Sequence, residues 1–326
     1  MALSEFELIE RFFRDCGASR PDVRLGIGDD AALLECPADK LLVAALDTIV
    51  EGVHFPQGSP PASIGHRALA VNLSDLAAMG AEPAWALLAL TMPSAEEAWL
   101  AEFARGLGGL ARAFGVALVG GDTTSGPLSV TVQALGLIEK SSGALGRSGG
   151  AAGDVLYVSG NPGDAAAGLA LEQRRLEGAA PDAARMLRER FLYPVPRVEL
   201  GRQLRGHASA CIDVSDGLAA DAGKLAHSSG CGVELEYACL PVSEALRAAV
   251  GDGEARELAL TGGDDYELCF AVPQARTAQL ERELPPAQWH YARIGRLRRE
   301  SGVVLLRDGN VMDFSHPGFD HFTPRR

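Results

Sequence analysis

Five times along this chain, carboxylates stand where regular structure begins or ends. They are Asp29 and Asp30 in GIGDDAA, Asp47 in ALDTIVEG, Asp122 in VGGDTTSG, Asp213 and Asp216 in CIDVSDG, and Asp264 and Asp265 in TGGDDYE. Three of these clusters follow a glycine directly, and the missing Cβ lets the backbone come close to a ligand. Asp75 joins them from inside a helical pattern, NLSDLAAMG, with Asn72 one turn earlier on the same face. Carboxylates gathered in a small volume oppose one another's ionisation, so a fold that brings them together needs cations among them. The expectation is therefore a fold whose distant segments converge and surround positive ions with acidic side chains. Any one Asp beside a glycine is an ordinary turn residue; it is the recurrence that carries the reading.

An all-oxygen donor set favours magnesium, manganese or calcium, and the chain has no His and Cys cluster that would suggest zinc. Magnesium fits best where phosphate oxygens complete its octahedron. Phosphoryl transfer then needs charge neutralisation and in-line alignment, with no covalent intermediate on the protein. Neither GxxxxGK[ST] nor the protein-kinase pair HRDxxxxN and DFG occurs, so this chemistry must use another scaffold. A non-catalytic calcium-binding module is the competing reading from a different class, but no DxDxDG loop with a closing glutamate is present.

The bulk numbers narrow the partners. A chain of 326 residues accommodates two domains of ordinary size. With 43 acidic against 30 basic residues and a formal net charge of -13, it is poorly suited to a broad nucleic-acid footprint, because phosphate backbones are held by Lys and Arg. No run is long and apolar enough to cross a bilayer, and MALSEFELIERFF carries acidic residues where an export signal would be basic. A cytoplasmic location with no membrane partner is the expectation. The six cysteines lack any CxxC spacing and read as reduced thiols, mostly buried.

Along the chain, Ser4 and Glu7 form a capping box that opens a helix expected to reach about Cys16. The apolar run from Leu41 to Leu46 reads as a buried strand with Asp47 at its carboxyl end. PPASIGHRALAVNLSDLAAMGAEP is helical in pattern, and Ser94 with Glu97 repeats the capping box ahead of a helix towards Phe114. VALVGGDTTSGPLSVTVQALGLI reads as strand, glycine turn, strand. The aperiodic stretch EKSSGALGRSGGAAGD marks a domain junction, which gives residues 1–150 and 151–326 as the two domains. The second half repeats the plan of strand, acidic turn and helix, and ends in a pair of strands across Gly302. Mixed strands and long helices make the chain α/β or α+β. Arg147 in LGRSGG is a plausible clamp for a nucleotide phosphate.

At VALVGGDTTSGP, ACIDVSDGLAADAG and TGGDDYELCF the chain resembles the thiamine-monophosphate kinases, ATP-dependent enzymes that make thiamine diphosphate. The likeness runs from GIGDDAA and LDTIVEGVHF through NLSDLAAMGAEP to the tail GFDHF. The acidic motifs singly mark a wider superfamily that includes aminoimidazole ribonucleotide synthetase, selenophosphate synthetase and a hydrogenase-maturation protein. DTIVEGVHF, GGDTTSGP and GFDHF together point to the thiamine enzymes.

The resemblance implies a two-domain aminoimidazole ribonucleotide synthetase-like fold, with mixed sheets packed by helices, and a homodimer in which amino-terminal sheets meet. The amino-terminal domain would bind ATP and magnesium, and the carboxyl-terminal domain would complete the active site. Asp30, Asp47, Asp75, Asp122, Asp213 and Asp216 match magnesium ligands. Gly121, Asp122, Arg147 and Ser215 match nucleotide-contacting positions, and His54, Asp264 and Phe319 match those near thiamine monophosphate. The γ-phosphate of ATP would pass directly to the acceptor.

Two positions depart from the family pattern: Asp264 stands where glutamate is common, and Phe319 where tryptophan is familiar. The first shortens the reach of a carboxylate, and the second keeps a stacking face without the indole donor. Within the superfamily, Cys16 on a helix stripe and the ending FTPRR do not fit selenophosphate synthetase or the hydrogenase-maturation protein. Aminoimidazole ribonucleotide synthetase remains the nearest alternative.

Overall fold

The computed structural model describes residues 4–312. The chain divides into two compact units, Met1–Leu76 with Ala81–Gly143 and Ala77–Gly80 with Ala144–Arg326. The change between them falls inside the glycine- and serine-rich stretch after Glu139.

The first unit runs α1 (Glu5–Phe12), β1 (Val23–Leu25), β2 (Leu33–Leu34), β3 (Lys40–Val50), α2 (Pro61–Ala78), β4 (Glu82–Met92), α3 (Glu97–Ala113), β5 (Ala117–Ser125) and β6 (Ser129–Glu139). Ser4 and Glu7 close a capping box at α1, but the helix stops at Phe12, a turn short of Cys16, although Phe13 and Cys16 are still buried. Ser94 does not cap α3. Its hydroxyl bonds the Glu96 carboxylate instead, and Glu96 takes the cap position without a side-chain bond.

The long strands form a sheet in the order β3-β6-β4-β5, with β4 and β5 parallel and the other pairs antiparallel. Leu69, Leu73 and Leu76 recur at helical spacing along α2 and are 1%, 0% and 0% exposed. Each such side chain contributes roughly 1.5–3 kcal/mol on burial. Glycine inside helices has a packing reason here. A Cβ on Gly65 would strike the Phe103 carbonyl and one on Gly106 the Ala62 carbonyl, so α2 and α3 cross backbone to backbone.

Three sequence expectations are corrected in the sheets. β3 is an edge strand whose Leu41, Leu42 and Leu46 are 46%, 53% and 60% exposed, because an apolar run is the same whether a neighbour covers it or not. Asp47 lies within that strand, three residues before its end, not at its carboxyl terminus. β5 runs straight through Gly120 and Gly121 with a bulge beside them, and the chain reverses only after Ser125.

The second unit comprises β7 (Val155–Ser159), α4 (Asp164–Glu172), α5 (Pro181–Leu192), α6 (Val198–Leu204), β8 (Ala210–Val214), α7 (Leu218–Ser228), β9 (Gly232–Glu236), α8 (Glu244–Val250), α9 (Asp252–Thr261), β10 (Glu267–Val272), α10 (Thr277–Glu283), α11 (Pro286–Trp289), β11 (Tyr291–Arg298), β12 (Val303–Arg307) and β13 (Asn310–Met312). Among the described residues its sheet has the order β13-β12-β9-β11-β7-β10-β8. The two strands expected on either side of Gly302, β11 and β12, are present but do not pair with each other, since β9 lies between them and pairs in parallel with β12. β7, β8 and β10 are buried at every position, so their apolar runs carry no alternation. The core packs α7 against this sheet through Leu218, Ala222 and Leu225.

All six cysteines are free. Cys16, Cys211 and Cys269 are buried, Cys231 is half-buried, and Cys36 and Cys239 are exposed.

Candidate metal and nucleotide site

In the first unit Asp47 and Asp75 form one close pair, and Asp122 stands on the opposite edge strand of the sheet. α2 is buried along most of its length, and Asp75 is one of its few partly exposed residues. One turn earlier, the Asn72 carbonyl accepts the Asp47 backbone N–H at 3.1 Å, while its amide donates to the Ala68 carbonyl at 3.1 Å. The Asp47 side chain is hydrogen-bonded to Asp75. Burial pushes the Asp47 carboxyl above its usual range, against the pull of that bond and of nearby His54. Two carboxylates can meet in this way only by sharing a proton or a cation. His54 is fixed to its own turn, where its Nδ1 accepts the Val50 N–H at 3.0 Å.

Asp122 is exposed on β5, at the far edge of the sheet from Asp47. The strand pairing places Asp47 in the row Asp47–Val132–Leu88–Gly121 and Asp122 in the next row, with Ala89, Thr131 and Thr48. Three strand spacings amount to roughly 14 Å along a flat sheet. Adjacent rows alternate between the two faces of a sheet, so the strand register does not itself bring the Asp122 side chain to the Asp47–Asp75 pair. Gly121 has no room for a side chain, since a Cβ there would run into the Leu88 carbonyl. Asp30 is exposed, and its N–H donates to Asp29 Oδ1 at 2.8 Å.

In the second unit the acidic loops are joined to one another. Asp213 is the penultimate residue of the buried strand β8, 6% exposed and opposite Leu268 of β10. The Ser215 and Asp216 N–H groups both donate to Asp221 Oδ2, at 2.9 Å each. Lys224 bonds the other Asp221 oxygen at 2.8 Å and also bonds Asp216. Burial raises the Asp221 carboxyl, and the bond and charge of Lys224 act against that rise.

The TGGDDYE segment lies against this loop. The Asp264 N–H donates to the Ser215 carbonyl at 2.9 Å and the Tyr266 N–H to that of Val214 at 2.8 Å. The Tyr266 hydroxyl reaches Asp264 Oδ1 at 3.2 Å. Asp264 and Tyr266 have φ of 69° and 52°, a conformation that costs a non-glycine residue about 1–3 kcal/mol.

Their intervening and following acids hold the turn. Asp265, 2% exposed, accepts the N–H groups of Gly163 at 2.8 Å and Ala165 at 3.3 Å, and so caps α4. Glu267 receives Arg190, Arg197 and Ser159. Arg147 is exposed, and its carbonyl accepts the Ser229 hydroxyl at 3.1 Å. Phe319 lies outside the described residues.

Sequence reasoning missed Asp221, Lys224 and Glu267. An Asp in the first turn of a helix that follows an acidic glycine turn is the signal that could have found Asp221. Nothing local distinguishes Glu267.

Among the described residues no three His, Cys, Asp or Glu side chains come close enough to cage a metal ion unaided. The donor set still fits magnesium. Every candidate ligand is an oxygen, and the ion retains waters and phosphate oxygens in place of a full protein cage.

Residues 28–138 match the family described as AIR synthase related protein, N-terminal domain, and residues 151–307 the corresponding C-terminal domain. The thiamine-monophosphate kinase of Salmonella typhimurium is 46% identical over 323 residues, with 99% of each chain covered. A solved thiamine-monophosphate kinase from Stenotrophomonas maltophilia superposes with a TM-score of 0.85 at 45% identity, over 96% of this chain and 99% of that one. A structure described as AaThiL complexed with AMPPCP and TMP gives a TM-score of 0.77 at 33% identity, covering 91% and 92%.

Proposed function

The chain belongs to the thiamine-monophosphate kinase family, and from that membership we propose how its residues share the reaction. It is a kinase that transfers a phosphoryl group from ATP to thiamine monophosphate, giving thiamine diphosphate. Magnesium is held by Asp30, Asp47, Asp75 and Asp122 of the first unit and by Asp213 and Asp216 of the second. The observation that carries this assignment is the Asp47–Asp75 contact, in which two partly buried carboxylates meet where a divalent cation would satisfy both. When bound, the metal neutralises charge on the transferred group.

Gly121 lets the backbone approach the nucleotide, and Ser215 and Arg147 contact it. His54, Asp264 and Phe319 meet the acceptor. The acceptor phosphate oxygen is already ionised near neutral pH, so no side chain has to remove a proton. That oxygen forms the new bond to the γ-phosphorus while the bond to the bridging oxygen of ADP breaks, with the two in line. Residues 1–150 form the nucleotide- and metal-binding domain and residues 151–326 complete the active site.

The deciding experiment is a product assay with ATP and magnesium that compares thiamine monophosphate with unphosphorylated thiamine. Diphosphate formed only from the monophosphate is the expected result. ATP turnover supported instead by a formylglycinamidine substrate would favour the aminoimidazole ribonucleotide synthetase reading.

The exposed leucines of β3 support a homodimer built on the first unit's sheet. Leu42 and Leu46 lie four residues apart on one face of an edge strand, a surface that a second copy of the chain would bury. Changing Leu46→Asp should shift sedimentation from dimer to monomer; a wild-type chain that already sediments as a monomer would remove the assignment. Among the described residues no helix is long and apolar enough to cross a membrane. An ATP-using reaction and six free thiols favour a cytoplasmic setting.

A further inference from the structure

The loop that carries Asp216 is closed on itself by a single lysine. Two successive N–H groups, those of Ser215 and Asp216, converge on one oxygen of Asp221, which is 1% exposed. The other Asp221 oxygen receives Lys224 Nζ at 2.8 Å, and the same ammonium group bonds the Asp216 carboxylate. The order is backbone, Asp221, Lys224, Asp216, back to the backbone, and it fixes the direction of the Asp216 side chain. Asp221 and Lys224 are three residues apart on α7, so the helix itself sets their spacing. The Asp216 and Lys224 side chains are 31% and 43% exposed, so their bond lies on the open side of the loop, where an entering ion can reach it.

We propose that Lys224 is the resident counter-ion of this loop: it holds Asp216 while no metal is bound, and a divalent cation displaces it from that carboxylate. This rests on the reading of Asp216 as a metal ligand. Lys224 then competes with magnesium, although it belongs to the apparatus that presents Asp216. Removing its charge tightens metal binding and loosens the metal-free loop. A lysine that only braced α7 would do the second and not the first. Lys224 remains bonded to Asp221 after displacement, so the loop backbone keeps its two N–H bonds and Lys224 acts as a positioning residue.

The test is magnesium affinity of the full-length protein in the presence of AMPPCP, measured by calorimetry for wild type, Lys224→Gln, Lys224→Arg and Asp216→Asn. At about 0.5 M potassium chloride the Debye length is about 4 Å, so the influence of the lost charge on groups beyond the loop is largely screened and the comparison reports on Lys224 and its immediate neighbours. Lys224→Gln should bind magnesium about twofold to fivefold more tightly, the range an exposed ion pair commands. Lys224→Arg should stay near wild type. In EDTA the melting temperature of Lys224→Gln should fall, and magnesium with AMPPCP should abolish the difference. Unchanged or weaker magnesium binding by Lys224→Gln, with Asp216→Asn clearly weakened, overturns the counter-ion role and leaves the ligand assignment standing. Wild-type magnesium affinity in Asp216→Asn overturns both.

Discussion

Asp213→Asn should lower kcat by on the order of 10²–10³-fold while moving the melting temperature by no more than about 3 °C. The substitution keeps shape and one acceptor oxygen at a position that is 6% exposed and locked into the β8–β10 ladder opposite Leu268, so the strand has no reason to move. It removes the negative charge. On the proposed assignment, a metal-held polyphosphate would lose a ligand whose value lies in that charge, and the loss would fall on the transition state, where charge on the transferred group is greatest. Asp122→Asn should behave alike from the exposed edge strand β5, with an even smaller effect on stability. Steady-state kinetics at saturating ATP, magnesium and thiamine monophosphate, run beside thermal melting, give both numbers. Near-normal turnover in both variants would end the metal-ligand assignment.

A helix start is legible in the sequence where its capping partners have no nearby competitor. Ser4 with Glu7 specifies α1 because both capping partners lie within one turn, so nothing distant can interfere. Ser94 with Glu97 is the same pattern, yet the hydroxyl there bonds Glu96. The helical spacing of Asn72 and Asp75 places them on one face of α2, and both meet Asp47 of β3. That Asp47 is the residue they meet is a tertiary fact, set by how α2 crosses the sheet.

The acidic motifs were visible as a class, but the division of labour inside them was not. In TGGDDYE, three acids within four residues look alike in the sequence. One bears on the DVSDG loop, one caps a helix whose N-terminus is about a hundred residues away in the chain, and one receives two arginines. The error over β3 has the same origin. Hydrophobicity records what a strand can bury, and whether a neighbour covers it is set by its place in the sheet, here an edge.

Glu267→Gln should destabilise the second unit by about 3–5 kcal/mol, the effect of removing one partner from a buried charge network. Glu267 is 0% exposed, and it accepts Arg190 at 2.6 Å, Arg197 at 2.6 Å through both Nε and Nη2, and the Ser159 hydroxyl. Glutamine fills the same volume but leaves two guanidinium groups facing a neutral amide. One of its polar ends would also present N–H donors to donors. Burial alone would raise the Glu267 carboxyl, but the Arg197 bonds and charge, with Arg190 and Ser159, bring it below its usual value. A carboxyl with a depressed folded-state pKa contributes stability above its unfolded pKa and loses it as pH falls through the folded value. The gap between wild type and variant in urea unfolding should therefore be widest near neutral pH and close in acid, below pH about 4. Because Glu267 follows the left-handed turn at Asp264 and Tyr266, the loss should also appear as a higher KM for thiamine monophosphate in whatever fraction stays folded. A variant as stable as wild type across that pH range would mean that water or a rearranged arginine had replaced the lost carboxylate, and the turn would then need another explanation for its strain.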